Sequence, residues 1–233
     1  MTLDKTKENI SGMFDAIAPT YDKLNHILSL NADKKWRKKA VDELLINHPT
    51  HILDIATGSG DMVLEILHRG DCQITAIDIS PKMIELAKHK ISKLTNKKSI
   101  EFILSSAELM PFADEVFDGV TVAFGVRNFE QLERGLSEIK RVLKTGGYLI
   151  ILEFVKPQNK WTKIFIGFYL KYLLPYIGKW VSKNKEAYRY LNQSINEFYK
   201  SCDFENICTR VGFQKIKTKV LFMGLVAIFV LKK

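Results

Sequence analysis

Residues 51–61 read HILDIATGSGD, His51 to Asp61, and a second apolar run, QITAIDIS, spans residues 73–80 with Asp78 near its end. An apolar strand that opens into a glycine-rich turn and then a helix brings backbone up against a nucleotide-like ligand. Gly58 and Gly60 let that ligand approach, because only glycine takes so tight a turn without a Cβ clash. Asp78 follows Gly58 by twenty residues, at the tip of the next strand, where a carboxylate accepts both hydroxyls of a ribose. Dinucleotide enzymes share this signature but place a third glycine three residues after the second. Here that position is Val63, and Asp61 directly follows the turn. An acid there repels a pyrophosphate and suits a cation. The ligand these residues imply is S-adenosylmethionine, which carries a ribose and a sulfonium and no phosphate.

Outward from this turn, apolar runs alternate with helical patterns. Strands are expected at 51–56, 73–78, 100–105, 117–124 and 147–154, with helices at 61–69, 81–94 and 130–143. Ser80 followed by Pro81 is a helix start, and Gly146-Gly147 after KRVLKT reads as a helix stop. The stretch SSAELMPFADEV reads as a loop with at most one helical turn. Such alternation implies a parallel sheet covered by helices on both faces. Residues 6–47 read as helical with a break at Pro19. Residues 184–200 and 203–211 read as helices, and 214–221 and 225–232 as closing strands. One α/β domain spanning 1–233 is expected, divided into N-terminal helices (1–50), a cofactor-binding core (51–155), a basic aromatic helical insertion (156–200) and closing elements (201–233).

A hydrophobic share of 46% with 26% charged residues fits a globular domain rather than a disordered chain. The net charge is +9, and residues 156–200 carry most of it, nine Lys or Arg against Glu186 and Glu197. That segment reads either as a lysine-rich solvated surface or as a face for an anionic partner. Its aromatic stretch, 160–182, is interrupted by Lys163, Lys171, Pro175 and Lys179, which argues against a membrane span and for an interfacial helix or a lid. Three cysteines, an odd number with no CxxC pair, point to a reducing cytoplasm. The N-terminus has no apolar core of signal-peptide length, so export is not expected. The histidines at 26, 48, 51, 68 and 89 show no ligand spacing, and no metal is expected.

Four ordered blocks resemble the ubiquinone/menaquinone biosynthesis C-methyltransferases, the UbiE/MenG family, from about Phe14 to the C-terminus. They are Tyr21-Asp22-Lys23-Leu24-Asn25 with Ser29 and Trp36, then FGVRN (124–128), RVLKTGGYLIILEFV (141–155), and AYRYL (187–191) with Ser194-Ile195. Leu24, Asp33, Thr145 and Val155 depart from the family pattern. The resemblance implies a class I methyltransferase fold, a seven-stranded, mostly parallel sheet whose last strand is antiparallel. It implies cofactor contacts at Asp54, Gly58, Ser59, Gly60, Asp78, Ile79, Met83, Ser106, Ala107 and Ala123; Ile79 and Met83 read equally well as core. Ala123 stands where the family often has serine, so a side-chain contact there passes to the backbone or is lost.

The activity the resemblance implies is methyl transfer to a ring carbon of 2-demethylmenaquinol, giving menaquinol. The acceptor must be the hydroquinone, because an oxidised quinone is too electron-poor to attack a methyl group. Arg127 and Asn128, beyond the fourth strand, are candidates to touch the acceptor oxygens, with Arg127 as a surface ion pair the competing reading. Tyr21 and Asp22 are candidates to close over the site, and Tyr188, Arg189 and Tyr190 to line the acceptor cleft. The aromatic insertion suits an isoprenoid tail and peripheral contact with the inner face of the membrane. A ubiquinone-precursor benzoquinol remains an alternative acceptor, and a non-catalytic quinone or cofactor carrier an alternative function. Nucleic acid is not expected as a partner, since the (N/D)PP(Y/F) motif of amino-methylating nucleic-acid enzymes is replaced by AFGVRN. A homo-oligomer is left open.

Overall fold

The computed structural model describes residues 3–94, 100–155, 162, 185–201 and 203–233, with backbone alone for 185–189 and 199–201. Seven strands form one sheet: β1 (His51–Ile55), β2 (Gln73–Asp78), β3 (Ile100–Leu104), β4 (Phe117–Ala123), β5 (Leu143–Phe154), β6 (Gln214–Leu221) and β7 (Val226–Lys232). Their order is β3-β2-β1-β4-β5-β7-β6, and β7 alone runs antiparallel to its neighbours. The expected class I methyltransferase topology is therefore the one observed. The chain winds outward from β1 to β3, then returns to the other side of β1 to lay down β4. That reversal opens a crevice at the carboxyl ends of β1 and β4, where open α/β sheets bind ligands.

Near-continuous apolar runs mark strands buried on both faces. Ile52 and Ile74 pack with Trp36, Val41 and Leu44 of α3 (Ala32–Leu45) and with Val63 and Ile66 of α4 (Asp61–Arg69). Leu53, Ile55 and Val120 face the other way, onto Leu136 and Ile139 of α6 (Leu132–Val142) and Phe204 of α8 (Phe204–Val211). The remaining helices among the described residues are α1 (Lys7–Ile17), α2 (Tyr21–Leu28), α5 (Pro81–Ser92) and α7 (Lys185–Ser201). Ser80 caps α5 by accepting from the Met83 N–H, as the Ser-Pro start predicts.

Three local expectations are corrected. The N-terminal helical region breaks twice, at a 3-10 turn over Ala18–Thr20 and again where Leu30 and Asn31 take left-handed backbone. The glycine pair at 146–147 does not end α6. Leu143 already pairs with Phe117, so β5 begins there, and Gly147 is needed because a Cβ would stand 2.9 Å from the Asp118 carbonyl. The loop after β3 forms no helical turn; a Ser106–Leu109 bridge closes it. The aromatic stretch 160–182 lies outside the described residues, apart from Thr162. Among the described residues no helix is long and apolar enough to cross a membrane.

Candidate active site

A cavity of about 270 Å³ occupies the crevice. Gly58 and Asp78 line it, with the Asp78 carboxylate held by backbone: the Gly58 N–H donates to Oδ2 and the Ser80 N–H to Oδ1, each at 2.8 Å. Burial pushes the Asp78 pKa up to about 6, against the pull of those backbone donors. No ion pair holds Asp78 among the described residues, so its remaining lone pairs are free to take hydroxyl donors. Gly58 (φ +55°) and Gly60 (φ +85°) both adopt left-handed backbone, and a Cβ on Gly60 would come within 3.0 Å of the Ala87 Cβ. Ile79, Met83, Ala107 and Ala123 supply apolar wall, with Ser106 beside them. Met83 is also core, packed with Ile17 and Ala18. A carboxylate, an open glycine turn and an apolar slot together fit a ribose carrying an adenine.

Asp54, Ser59, Gly60 and Asp61 belong to the same turn but do not line the cavity. Asp54 lies beneath it, accepting from Thr57 (2.6 Å) and Thr121 (2.5 Å), and burial pushes its pKa up to about 6. Ser59 donates to the Asp22 carboxylate and accepts from Lys90 at 3.1 Å. The expectation that Asp61 faces a cationic ligand is corrected: its carboxylate pairs with Lys90 at 2.6 Å and Arg37 at 3.8 Å. Arg37 also holds Asp33 at 2.5 Å, and Asp33 takes His26 at 2.9 Å. His26, Asp33 and Asp61 bring ligand-type atoms within 4.8 Å of one another, but Arg37 and Lys90 already meet their charge. This network fastens α2 and α3 to the back of the turn. Nothing in the sequence pairs Lys90 with residues 22 and 61.

Tyr21 and Asp22 part company. Tyr21 lines the cavity, its ring over Gly58 and edge-on to Phe14 at 6.0 Å, and burial raises its pKa. Asp22 points behind the turn and pairs with Lys90 at 2.6 Å. Asn128 lines the cavity and accepts a hydrogen bond from the Tyr190 hydroxyl at 2.9 Å; burial pushes the Tyr190 pKa up to about 12. The side chains of Tyr188 and Arg189 lie outside the described residues.

Arg127 is neither on the wall of this cavity nor a solvent-facing loop residue. It is 7% exposed, donating to Glu153 Oε1 at 2.8 Å and to the Phe124 carbonyl at 2.5 Å, while its Nε has no partner among the described residues. Glu153, fully buried, also accepts from the Arg127 and Phe154 backbone N–H groups. The close approach of Gly125 to Ala56, 2.7 Å from a Cβ built on the glycine, was not legible in the sequence; it seats β4's tip against β1's.

The chain matches the model of the ubiE/COQ5 methyltransferase family over residues 1–233. It belongs to that family. The enzyme is an S-adenosylmethionine-dependent methyltransferase, and the cavity has the features that cofactor needs. It is similar to the demethylmenaquinone methyltransferase of Bacteroides fragilis, 41% identical over 98% of this chain and 94% of the relative. It is 40% identical to the ubiquinone/menaquinone biosynthesis C-methyltransferase UbiE of Geotalea daltonii, over 97% of each chain. In fold it is similar to a SAM-dependent methyltransferase of Aquifex aeolicus, with a TM-score of 0.61 and 19% identity over 84% of this chain and 88% of that one.

Proposed function

We propose that this methyltransferase carries a methyl group to a ring carbon of 2-demethylmenaquinol, giving menaquinol. The observation that carries the reading is the juxtaposition at one sheet edge of the Asp78–Gly58 corner and the hydrogen-bonded Asn128–Tyr190 pair. A ribose-type site and a site for an aromatic diol thus share one cavity wall. The similarity to the demethylmenaquinone methyltransferase of Bacteroides fragilis supports the menaquinone ring. S-adenosylmethionine, when bound, supplies an electrophilic methyl group on a sulfonium.

In this reading Asp78 holds the ribose hydroxyls, while Ile79, Met83, Ala107 and Ala123 flank the adenine and Ser106 offers it a polar edge. Asp54, Ser59 and Gly60 shape the turn from behind rather than touching the cofactor. On the acceptor side Asn128 gives its Oδ1 to Tyr190, which leaves its amide N–H groups to donate to a quinol oxygen. Tyr190, with its pKa at about 12, and Tyr21, with its pKa also raised, stay protonated at neutral pH. Tyr21 is a donor that orients the ring, not a base, while Tyr190 spends its O–H on Asn128 and orients that amide. Arg127 sits behind this pair, and its charge favours the anionic forms of Tyr21 and Tyr190. Glu153, paired with Arg127, acts on Tyr190 in the opposite sense, so a phenolate on the acceptor, the form that raises electron density at the adjacent carbon, relies on the Asn128 amide donor. Asp22 positions α2 through Ser59 and Lys90. Orientation of the two reactants is the larger contribution, worth ~7–11 kcal/mol in favourable systems. Residues 156–200, with Tyr188 and Arg189, are proposed to serve the tail of the acceptor, at the cytoplasmic face of a membrane.

The test is label transfer from radioactive S-adenosylmethionine to chemically reduced demethylmenaquinone, with the oxidised quinone and a reduced ubiquinone precursor in parallel. Label in the reduced naphthoquinol alone is expected. Label in the ubiquinone precursor alone assigns the second reading, which the name of the Geotalea daltonii relative covers together with the first. No label in any acceptor while cofactor binds refutes the quinol reading in favour of another acceptor or a carrier.

A further inference from the structure

Three surface positions, Leu30, Phe222 and Met223, expose large apolar side chains on backbone that disfavours them. Leu30 is 76% exposed at φ +53°, and Met223, in the 3-10 turn between β6 and β7, is 72% exposed at φ +55°. Left-handed backbone favours Gly, Asn or Asp, and a long apolar side chain there gains nothing from the fold if it points into water. All three lie at the same edge of the sheet. The turn after β6 is at the carboxyl end, since β6 runs parallel to β1–β5. The start of α3 is there too, because Trp36 in its first turns touches Phe222 (5.4 Å between ring centroids) and Phe124 (6.2 Å). The cavity opens on that edge through Asn128 and Gly58.

Exposed lysines follow the Leu30 tip along the chain. Lys34 and Lys35 are exposed in the first turn of α3, where a helix N-terminus disfavours cations, and Lys38 and Lys39 are exposed one turn on. None of the four makes an ion pair among the described residues. Of the acids of this edge, Asp22, Asp33 and Asp61 are already held by Lys90, Arg37 and His26, while Glu108 and Glu130 belong to the cavity wall. Apolar tips backed by unpaired lysines are the pattern of a surface that meets an anionic lipid bilayer.

We infer that Leu30 and Met223 dip into an anionic membrane surface while Lys34 and Lys35 rest on its headgroups. The cavity mouth is thereby presented to lipid, and a quinol with an isoprenoid tail enters from the bilayer side without crossing water. The inference rests on the lipid-tailed acceptor of the proposed function and adds the surface that reaches it. Phe222, 48% exposed and packed on Trp36, stays as the hinge of the tip.

The experiment is co-sedimentation of the full chain with phosphatidylglycerol–phosphatidylcholine vesicles, against phosphatidylcholine vesicles alone. It compares the parent with Leu30→Asn/Met223→Asn and with Lys34→Gln/Lys35→Gln. Asparagine suits left-handed backbone, so the first variant is expected to melt no lower than the parent. It is expected to bind the anionic vesicles at least about tenfold more weakly, since each buried side chain of this size is worth a factor of that order. The lysine variant is expected to show a shallower salt dependence. Equal vesicle binding by parent and Leu30→Asn/Met223→Asn overturns the inference, as does a parent that ignores anionic vesicles. Unchanged vesicle binding together with a lower molar mass in solution for that variant also overturns it, and makes the patch an interface between copies. Methylation of a short-tailed reduced naphthoquinol, which needs no membrane, reads the proposed function separately; both tip variants are expected to turn it over at the parent rate.

Discussion

Replacing Asp78 by asparagine separates its charge from its shape. Each carboxylate oxygen already accepts one backbone N–H, from Gly58 and from Ser80, and each keeps a lone pair for a ribose hydroxyl. In Asp78→Asn one oxygen becomes an amide that can only donate, so it loses a ribose bond and faces a backbone N–H it cannot accept from. A hydrogen bond to a charged acceptor contributes ~1.5–3 kcal/mol, which is about one to two powers of ten in cofactor affinity. The pH dependence is a second, independent signature. Burial places the Asp78 pKa at about 6 in the cofactor-free chain, and hydroxyl donors favour the ionised form, so it is lower in the complex. Affinity is therefore expected to be flat at neutral pH and to fall about tenfold per unit below about pH 6, with proton release on binding in that range. Stability of the cofactor-free chain has the opposite slope. Asp78 and Asp54 both titrate near 6 when folded and near 3.8 when unfolded. The folded chain thus holds more protons between those values, and stability drops as pH rises through them. Calorimetric titration with S-adenosylhomocysteine across the range, in buffers of different ionisation enthalpy, measures affinity and proton count together. A parent with pH-independent affinity, or an Asp78→Asn chain that binds as tightly as the parent and melts normally, refutes the ribose assignment.

Glu153→Ala strands the buried Arg127 cation and is expected to cost about 3–5 kcal/mol in urea unfolding, with Glu153→Gln losing clearly less because its carbonyl still accepts. Gly125→Ala drives a methyl into the Ala56 Cβ and is expected to cost about 1–3 kcal/mol and to weaken cofactor binding, both read by thermal shift with and without S-adenosylhomocysteine. Tyr190→Phe deletes the donor to Asn128, and a loss of ~0.5–1.5 kcal/mol predicts a threefold to tenfold drop in turnover with cofactor affinity unchanged. Equal losses in turnover and cofactor affinity would place Tyr190 outside the acceptor site.

What could be read from the sequence was local along the chain. The glycine turn, the Asp78 tip and the strand–helix alternation each follow from a few adjacent residues, because glycine backbone and apolar periodicity need no distant partner. The start of β5 was misplaced because the pairing of Leu143 with Phe117 is a contact across the sheet; nothing local distinguishes that strand from a helix ending at a glycine pair. Asp61 shows the same limit within the motif itself. Left-handed Gly60 turns the chain so that α4 starts at Asp61, and the carboxylate goes to the back of the turn, where Lys90 and Arg37 wait. Adjacency to a ligand-binding turn says that a side chain is near the ligand, not which way it faces. Direction is decided by the partner, and an opposite charge can arrive from any element that packs nearby. The residues of the cavity wall must match the ligand in type and spacing, so they leave a pattern. The residues that brace the wall need only match one another, so Asp22, Lys90, Asp61 and Arg37 look in the sequence like ordinary surface charge until the fold brings them together.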